Sequence, residues 1–358
     1  MLIVIQLLIW ILRKMINFSF NDQLDRFYTQ LKILQDKGYL IEKKEEDIFI
    51  LTPTIFSKNV LGGQKPSQDQ KKTDLAVMAI THGNEVAGLA VLAAWLELLV
   101  NKCIELECRV ALILGNLPAA SQNKRFLEAD LNRSFGRDIC TLAEHRRAKN
   151  IMPYLANTTL LLDIHQTSSP SLCPFFIFPF RKKALHFARA VNSQIPIVTH
   201  WGDSFSKDGM CTDEYVNSKG GIGLTIELGK NGFDPYQIST GVLACVQASH
   251  YAAKLAKGQN APSQNEEMGA MGPLLNFKHI EPWPSSGQLT LRPGLHNFMA
   301  IEKFELLGTN PDGTEHRAST EGLMMFPKYL TDSSQKVAPS EAYRLLGFFK
   351  AEELPDID

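Results

Sequence analysis

Apolar residues at Leu24, Phe27, Tyr28, Leu31, Ile33 and Leu34 recur at helical spacing, and the rhythm stops at Lys37-Gly38 before the short run Tyr39-Leu40-Ile41. This predicts a helix followed by strands that enter the main body of the protein. From residue 74 the pattern changes. Short runs at 75–81, 109–114, 159–164, 175–178, 195–198 and 223–226 are rich in Val, Ile, Leu and Phe and bounded by Gly, Pro, Asn or Asp, as buried strands are. Longer stretches at 85–101, 141–155, 182–193 and 235–257 predict helices between them, the last opened by Asp234 as N-cap and Pro235 in the first turn. Strands joined through helices point to an α/β sheet. The polar stretch 62–72 reads as an exposed loop. After about residue 258 the chain turns to Gly, Gln, Asn, Pro and Ser, a linker composition, and then to short β-like runs at 288–291, 298–304 and 323–326 that fit a small β-rich domain.

Residues 1–12 form an apolar run interrupted only by Gln6 and followed by Arg13-Lys14. The run is shorter than the ~20 residues a membrane span needs, and its charges follow the apolar stretch where an export signal would carry them in front. It reads either as a short membrane-associating or docking segment or as an extension ahead of a start at Met15. The chain thus divides into an extension at 1–16, a main domain at 17–257, and a linker with a β-rich domain at 258–358.

A length of 358 residues exceeds what one hydrophobic core serves well, which favours a large domain beside a smaller one. Hydrophobic content of 44% and charged content of 21% exclude a disordered or collagenous chain. With 37 basic and 38 acidic residues, no global field favours nucleic acid or an anionic membrane surface, so any anion recognition is local. The six cysteines, Cys103, Cys108, Cys140, Cys173, Cys211 and Cys245, are scattered without a CxxC pair, which reads as reduced thiols in a cytoplasmic protein.

Candidate chemistry lies at the ends of three predicted strands. In Ala79-Ile80-Thr81-His82-Gly83-Asn84-Glu85 an apolar strand runs into a His-x-x-Glu pair and then a helix, the end of an open α/β sheet at which ligands bind. An imidazole and a carboxylate so spaced can face one cation, and Gly83 allows a tight turn; alone, the pair reads more readily as an exposed polar loop. Asp163-Ile164-His165 ends a second strand, with Asp163 two residues before the histidine and on the same face, suited to orienting it. Two histidines and one carboxylate make a frequent catalytic-zinc set that leaves a position open. Glu227 sits in the apolar end of a third strand, where a buried carboxylate needs either an ion-pair partner or a task such as general base. Between the histidine strands, Arg133 beside Asn132 can grip a carboxylate, and Arg125 can polarise a carbonyl; solvated surface arginines are the alternative.

Taken together, His82-Gly83-Asn84-Glu85, Arg125 with Asp130-Leu131-Asn132-Arg133-Ser134-Phe135, Asp163-Ile164-His165-Gln166-Thr167 and Glu227-Leu228-Gly229 resemble, in order and spacing, the succinylglutamate desuccinylase/aspartoacylase family of zinc carboxypeptidase-like hydrolases. The resemblance implies a three-layer α/β/α domain with a mixed sheet over 17–257, capped by a smaller C-terminal β domain. It implies one zinc ion per chain on His82, Glu85 and His165, with Glu227 as general base activating water and Arg125 polarising the carbonyl. Asn132 and Arg133 would hold the substrate carboxylate. The implied reaction is hydrolysis of the amide of a small N-acyl amino acid, with no nucleic-acid partner. A metallocarboxypeptidase acting on peptide C-termini and a non-catalytic binding protein on the same fold are the alternatives. One departure concerns selectivity: members acting on N-acetylaspartate place an extra arginine shortly before the base, and the run 215–221 offers only Lys219.

Overall fold

A computed structural model describes residues 19–53, 72–138, 140–200, 209–259, 271–285, 287, 289–329, 341–349 and 353. The apolar run at 1–16, nearly all of the loop at 62–72 and most of the linker after 258 lie outside the described residues. The chain opens with α1 (Phe20–Asp36), β1 (Leu40–Lys43) and β2 (Ile48–Thr52). There follow β3 (Thr73–Ala79), α2 (Ala87–Val100), β4 (Val110–Leu114), the short α3 (Leu117–Ala120), a 3-10 turn at Leu131–Arg133, α4 (Ala143–Ala156) and β5 (Thr158–Thr167). Next come β6 (Phe175–Pro179), α5 (Lys182–Val191), β7 (Ile197–His200), α6 (Thr212–Ser218), β8 (Ile222–Lys230) and α7 (Pro235–Ala256). The tail adds β9 (Leu274–Pro282), β10 (Thr290–Leu291), β11 (Ala300–Ile301), β12 (Leu306–Thr309), β13 (Glu315–Arg317), β14 (Gly322–Met325) and β15 (Glu341–Phe348).

Alternation along the strands builds the layers. In β3, Leu75, Val77 and Ala79 join a core with residues of α1, α2, α5 and α7, while Ala76 and Met78 face a second core containing Ile151 and Leu155 of α4 and Val216 of α6. Successive side chains of a strand point to opposite faces, so one apolar strand feeds both cores. The result is a three-layer α/β/α sandwich. Helix α1 presents Phe27, Leu31 and Leu34 inward as a stripe and is capped by the Ser19 hydroxyl, which accepts from Asp22 N at 3.1 Å. Helix α2 is buried nearly all round, being covered by α1 and α7 as well as by the sheet.

The main sheet has the order β1-β2-β4-β3-β5-β8-β6-β7-β9-β15-β14-β11, with β10, β12 and β13 in a separate small sheet. Strands β4, β3, β5 and β8 run parallel, and β6 pairs antiparallel with β8. From β3 the chain crosses to β4 on one side and then to β5 on the other, so the carboxyl ends of β3 and β5 flank a topological switch point. Tail strand β9 pairs parallel with β7 and continues the same sheet, and Phe298, Met325 and Leu346 of the tail share a core with Phe175, Ile177 and Val198. The β-like run expected at 298–304 shortens to Ala300–Ile301, because Phe298 and Phe304 both adopt positive φ, 66° and 69°, and break the extended chain on either side. Among the described residues no helix is long and apolar enough to cross a membrane, and all six cysteines are free thiols.

Candidate metal centre

The turn after β3 delivers His82. Ile80 takes a left-handed conformation, φ 57°, a strained choice for a β-branched residue that costs about 1–3 kcal/mol. Its carbonyl is held by Asn116 N at 2.7 Å. Gly83 is needed for a reason other than the turn expected from the sequence: a Cβ there would lie 2.4 Å from Ala120 N, 2.5 Å from Ala119 C and 2.5 Å from Lys124 O. The 119–125 loop closes directly on it, and Gly83 N donates to Arg125 O at 2.9 Å. A glycine is required because two main chains touch.

His82, Glu85 and His165 are buried and bring one ligand atom each within 4.8 Å of one another. Glu85 Oε1 lies 2.8 Å from His82 Nδ1, and Oε2 lies 2.9 Å from His165 Nδ1. The outer nitrogens are held by carboxylates, His82 Nε2 by Asp130 Oδ1 at 3.0 Å and His165 Nε2 by Asp163 Oδ2 at 2.9 Å. Each imidazole sets Nε2 against an outer carboxylate and turns Nδ1 inward, the arrangement that orients histidine ligands of a metal. Arg125 Nη2 stands 2.7 Å from His82 Nε2 and donates to Asp130 Oδ2, and its Nη1 donates to Glu85 Oε1, both at 3.2 Å.

The electrostatics follow from this packing. Burial raises the Glu85 carboxyl, yet the adjoining His82 and His165 outweigh it and hold it well below the usual range. Burial works against a charged His165, but Asp163 and Glu85 push it well above its ordinary value. Asp130 is likewise held low, burial being overcome by His82 and Arg125. An imidazole that favours protonation between two carboxylates, as His165 does, marks a site where a divalent cation can replace the proton. The His82–Glu85–His165 group fits such an ion in number and type of donor.

Glu227 stands beside this group. It pairs in register with His165 across β5 and β8, and Oε2 is buried without a hydrogen-bond partner among the described residues. Burial, together with the charge on Glu85, raises its pKa to about 7.

The sequence marks Asp163 as a partner of His165, and the structure adds further supports around it. Asp163, fully buried, accepts from Thr81 Oγ1 at 2.9 Å and Thr212 Oγ1 at 2.6 Å as well as from His165. Gln166 N donates to Glu85 Oε2 at 3.0 Å, and its side chain accepts from Ala87 N at 3.0 Å and donates to Gly232 O at 2.8 Å, so one residue locks the start of α2 to the end of β8. Glu144 of α4 accepts from Asn116 Nδ2 and from the main-chain N–H groups of Leu127, Glu128 and Ala129, which fixes the loop that carries Arg125 and Asp130.

Arg125 thus reaches the metal-ligand group, with 42% of its side chain exposed. Asn132 and Arg133 lie just past Asp130 in the 3-10 turn. Asn132 Oδ1 accepts from Thr212 N at 3.0 Å, and Arg133 Nη1 donates to Asn132 O at 2.7 Å and Cys211 Sγ at 3.0 Å. Lys219 is exposed at the end of α6, its ammonium over the Tyr215 ring at 5.3 Å and ahead of the start of β8, at the opposite end of that strand from Glu227.

Residues 71–247 match the succinylglutamate desuccinylase/aspartoacylase catalytic domain. The succinylglutamate desuccinylase of Photorhabdus laumondii is 36% identical over 99 residues, 27% of this chain and 30% of that protein. The succinylglutamate desuccinylase of Pseudoalteromonas atlantica is 27% identical over 286 residues, 72% of this chain and 78% of the relative. Among solved structures, succinylglutamate desuccinylase from Vibrio parahaemolyticus superposes with a TM-score of 0.65 at 16% identity, covering 87% of this chain and 89% of the other, a likeness of fold. The catalytic-domain match falls on the strands and turns that bear His82, Glu85, His165 and Glu227, and over residues 71–247 the chain is similar to the succinylglutamate desuccinylase/aspartoacylase family.

Proposed function

We propose that the protein is a zinc-dependent amidohydrolase that cleaves the amide bond of N-acyl amino acids. The observation that carries this reading is the convergence of His82, Glu85 and His165 within 4.8 Å, next to a Glu227 whose Oε2 has no hydrogen-bond partner among the described residues. Zinc held by the two Nδ1 atoms and the Glu85 carboxylate would lower the pKa of a water molecule and draw electron density from the scissile carbonyl. Glu227 takes the proton of the attacking water and returns it to the departing amine, a role suited to a buried carboxylate with a raised pKa. Arg125 donates to the carbonyl oxygen as negative charge builds there, exchanging its contacts with Glu85 and Asp130. Asn132 and Arg133 hold the α-carboxylate. The relatives named succinylglutamate desuccinylase support the substrate class, and residues 258–358 act as a cap that keeps peptides out.

The test is hydrolysis of a panel of N-acetyl and N-succinyl amino acids and short peptides by zinc-loaded protein. Release of amino acid from the former and none from the latter is expected. Glu227→Gln should keep its zinc while kcat falls roughly 10²–10⁴-fold. Peptide C-terminal cleavage without deacylation would overturn the reading.

A further inference from the structure

Arg125 lies in a stretch that apolar packing does not hold. Ala120 and Leu131 are buried, but residues 121–128 between them are all exposed. A segment without buried side chains keeps a fixed course only where its main chain is bonded to something rigid. Two anchors do this here. Gly83 N donates to Arg125 O at 2.9 Å. Just past the arginine, the Glu144 carboxylate accepts from three successive main-chain groups, Leu127 N on Oε1 at 2.7 Å and Glu128 N and Ala129 N on Oε2 at 3.1 and 3.0 Å.

Glu144 is itself firmly seated. It is buried in the first turn of α4, and Oε1 also accepts from Asn116 Nδ2 at 3.1 Å. Asn116 in turn caps α3 through Ala119 N and donates its own N–H to Ile80 O, two residues before His82. From the loop side, the Glu128 carboxylate accepts from Ala143 N at the start of α4. Burial raises the Glu144 carboxyl, but the hydrogen bonds from Leu127, Ala129, Asn116 and Glu128 outweigh it and hold it below its usual range. A glutamine of the same shape would set an NH2 group against main-chain N–H groups. Asp130 depends less on this anchor, because its own 3-10 turn holds it through Asn132 N and Ser134 Oγ. Loss of the anchor therefore falls on the arginine.

We propose that Glu144 is a positioning residue for the reaction: its carboxylate sets the course of the loop so that the Arg125 guanidinium stands over the His82–Glu85 end of the metal centre. The assignment rests on the amidohydrolase reading for the step that Arg125 assists. Glu144 acts through the arginine, since its hydrogen bonds go to the loop and to Asn116, and none among the described residues goes to the metal-ligand group.

Glu144→Gln, Arg125→Ala and the double variant are compared as zinc-loaded proteins on the N-acyl amino acid of the panel that the parent hydrolyses fastest. For Glu144→Gln, kcat should fall roughly 10²-fold, the scale of a misplaced catalytic group, with KM within about threefold of the parent and zinc content unchanged. In the double variant kcat should equal that of Arg125→Ala, because the anchor has nothing left to position. Losses that multiply, or a kcat for Glu144→Gln equal to the parent's, would overturn the assignment. Glu144→Asp keeps the charge one methylene short; it should lose roughly tenfold, and it runs the same cycle where Glu144→Gln does not fold. A second measurement needs no substrate. Phenylglyoxal labels arginines that are free of ion pairs, and peptide mass spectrometry scores each site. Labelling of Arg125 should speed up in Glu144→Gln while that of Arg292 in the tail stays as in the parent. An unchanged rate at Arg125, or the same rise at both, would count against the anchor. Faster labelling of Arg125 in a protein whose parent hydrolyses no N-acyl amino acid would sink the amidohydrolase reading and leave the anchor standing.

Discussion

Two clusters in this protein contain a pair of histidines and a glutamate, and they differ in arrangement. In the tail, His279 Nε2 meets Glu281 Oε2 at 2.9 Å, Tyr343 donates its hydroxyl to the same oxygen at 3.3 Å, and His316 Nε2 lies 2.9 Å from the Tyr343 hydroxyl. The groups are strung in a line and partly open to solvent, with His279 and Glu281 side chains 27% and 20% exposed. In the α/β part, His82, Glu85 and His165 are at most 4% exposed and aim their ligand atoms at a common point, each imidazole backed by a further carboxylate. Burial lowers His316 more than Glu281 raises it, whereas Asp163 and Glu85 overcome burial at His165. Composition is shared; convergence and the outer carboxylates are not, and these suit the buried group to hold a metal ion.

The largest difference should appear in metal content. His165→Ala should lose bound zinc and activity together, while His316→Ala should keep both, as read by metal analysis after gel filtration; zinc retained in the His165 variant would erase the contrast. An intermediate effect is expected from the contact beneath His82. Gly83→Ala forces two main chains apart, which should cost about 1–3 kcal/mol of stability and, by displacing Arg125, lower kcat/KM by roughly 10²-fold. Wild-type kinetics in that variant would show that the 119–125 loop has room to give. The smallest is a pH effect on the zinc-free protein. His165, raised above its ordinary 6.5, contributes stability that is complete below that value and is lost as pH rises through its folded pKa. Glu227, raised from 4.5 to about 7, acts in the same direction, its buried charge becoming unfavourable across that interval. Denaturant midpoints of chelated protein should therefore fall from pH 6 to pH 9, and fall less once zinc is bound. A midpoint that rises would reverse the assigned shifts.

The convergence of His82, Glu85 and His165 was legible in the sequence because they follow or lie near the ends of apolar strands, where hydrophobic runs give way to polar residues. Helices α2, α4 and α7 and strands β3 and β4 were legible for the same reason and lie within two residues of their expected bounds, whereas β5 and β8 run three and four residues further at their carboxyl ends. Strand β9, with its partly exposed residues, and β15, reached only after the segment beyond Tyr329, gave no comparable run. The supports were hidden by distance. Glu144 holds a loop 15 to 17 residues away and Thr212 reaches Asp163 from 49 residues away, and neither spacing leaves a local pattern. Asp130 stood inside a recognised string, but only its contact with His82 Nε2 reveals its task.

The pairing of β9 onto β7 has a consequence for how this chain could be shortened or rearranged. Removing the tail would uncover the rim of β7 and leave its outward-facing amides and carbonyls ready to recruit the same rim of another molecule. Recombinant versions ending near residue 257 should clump, whatever becomes of their chemistry.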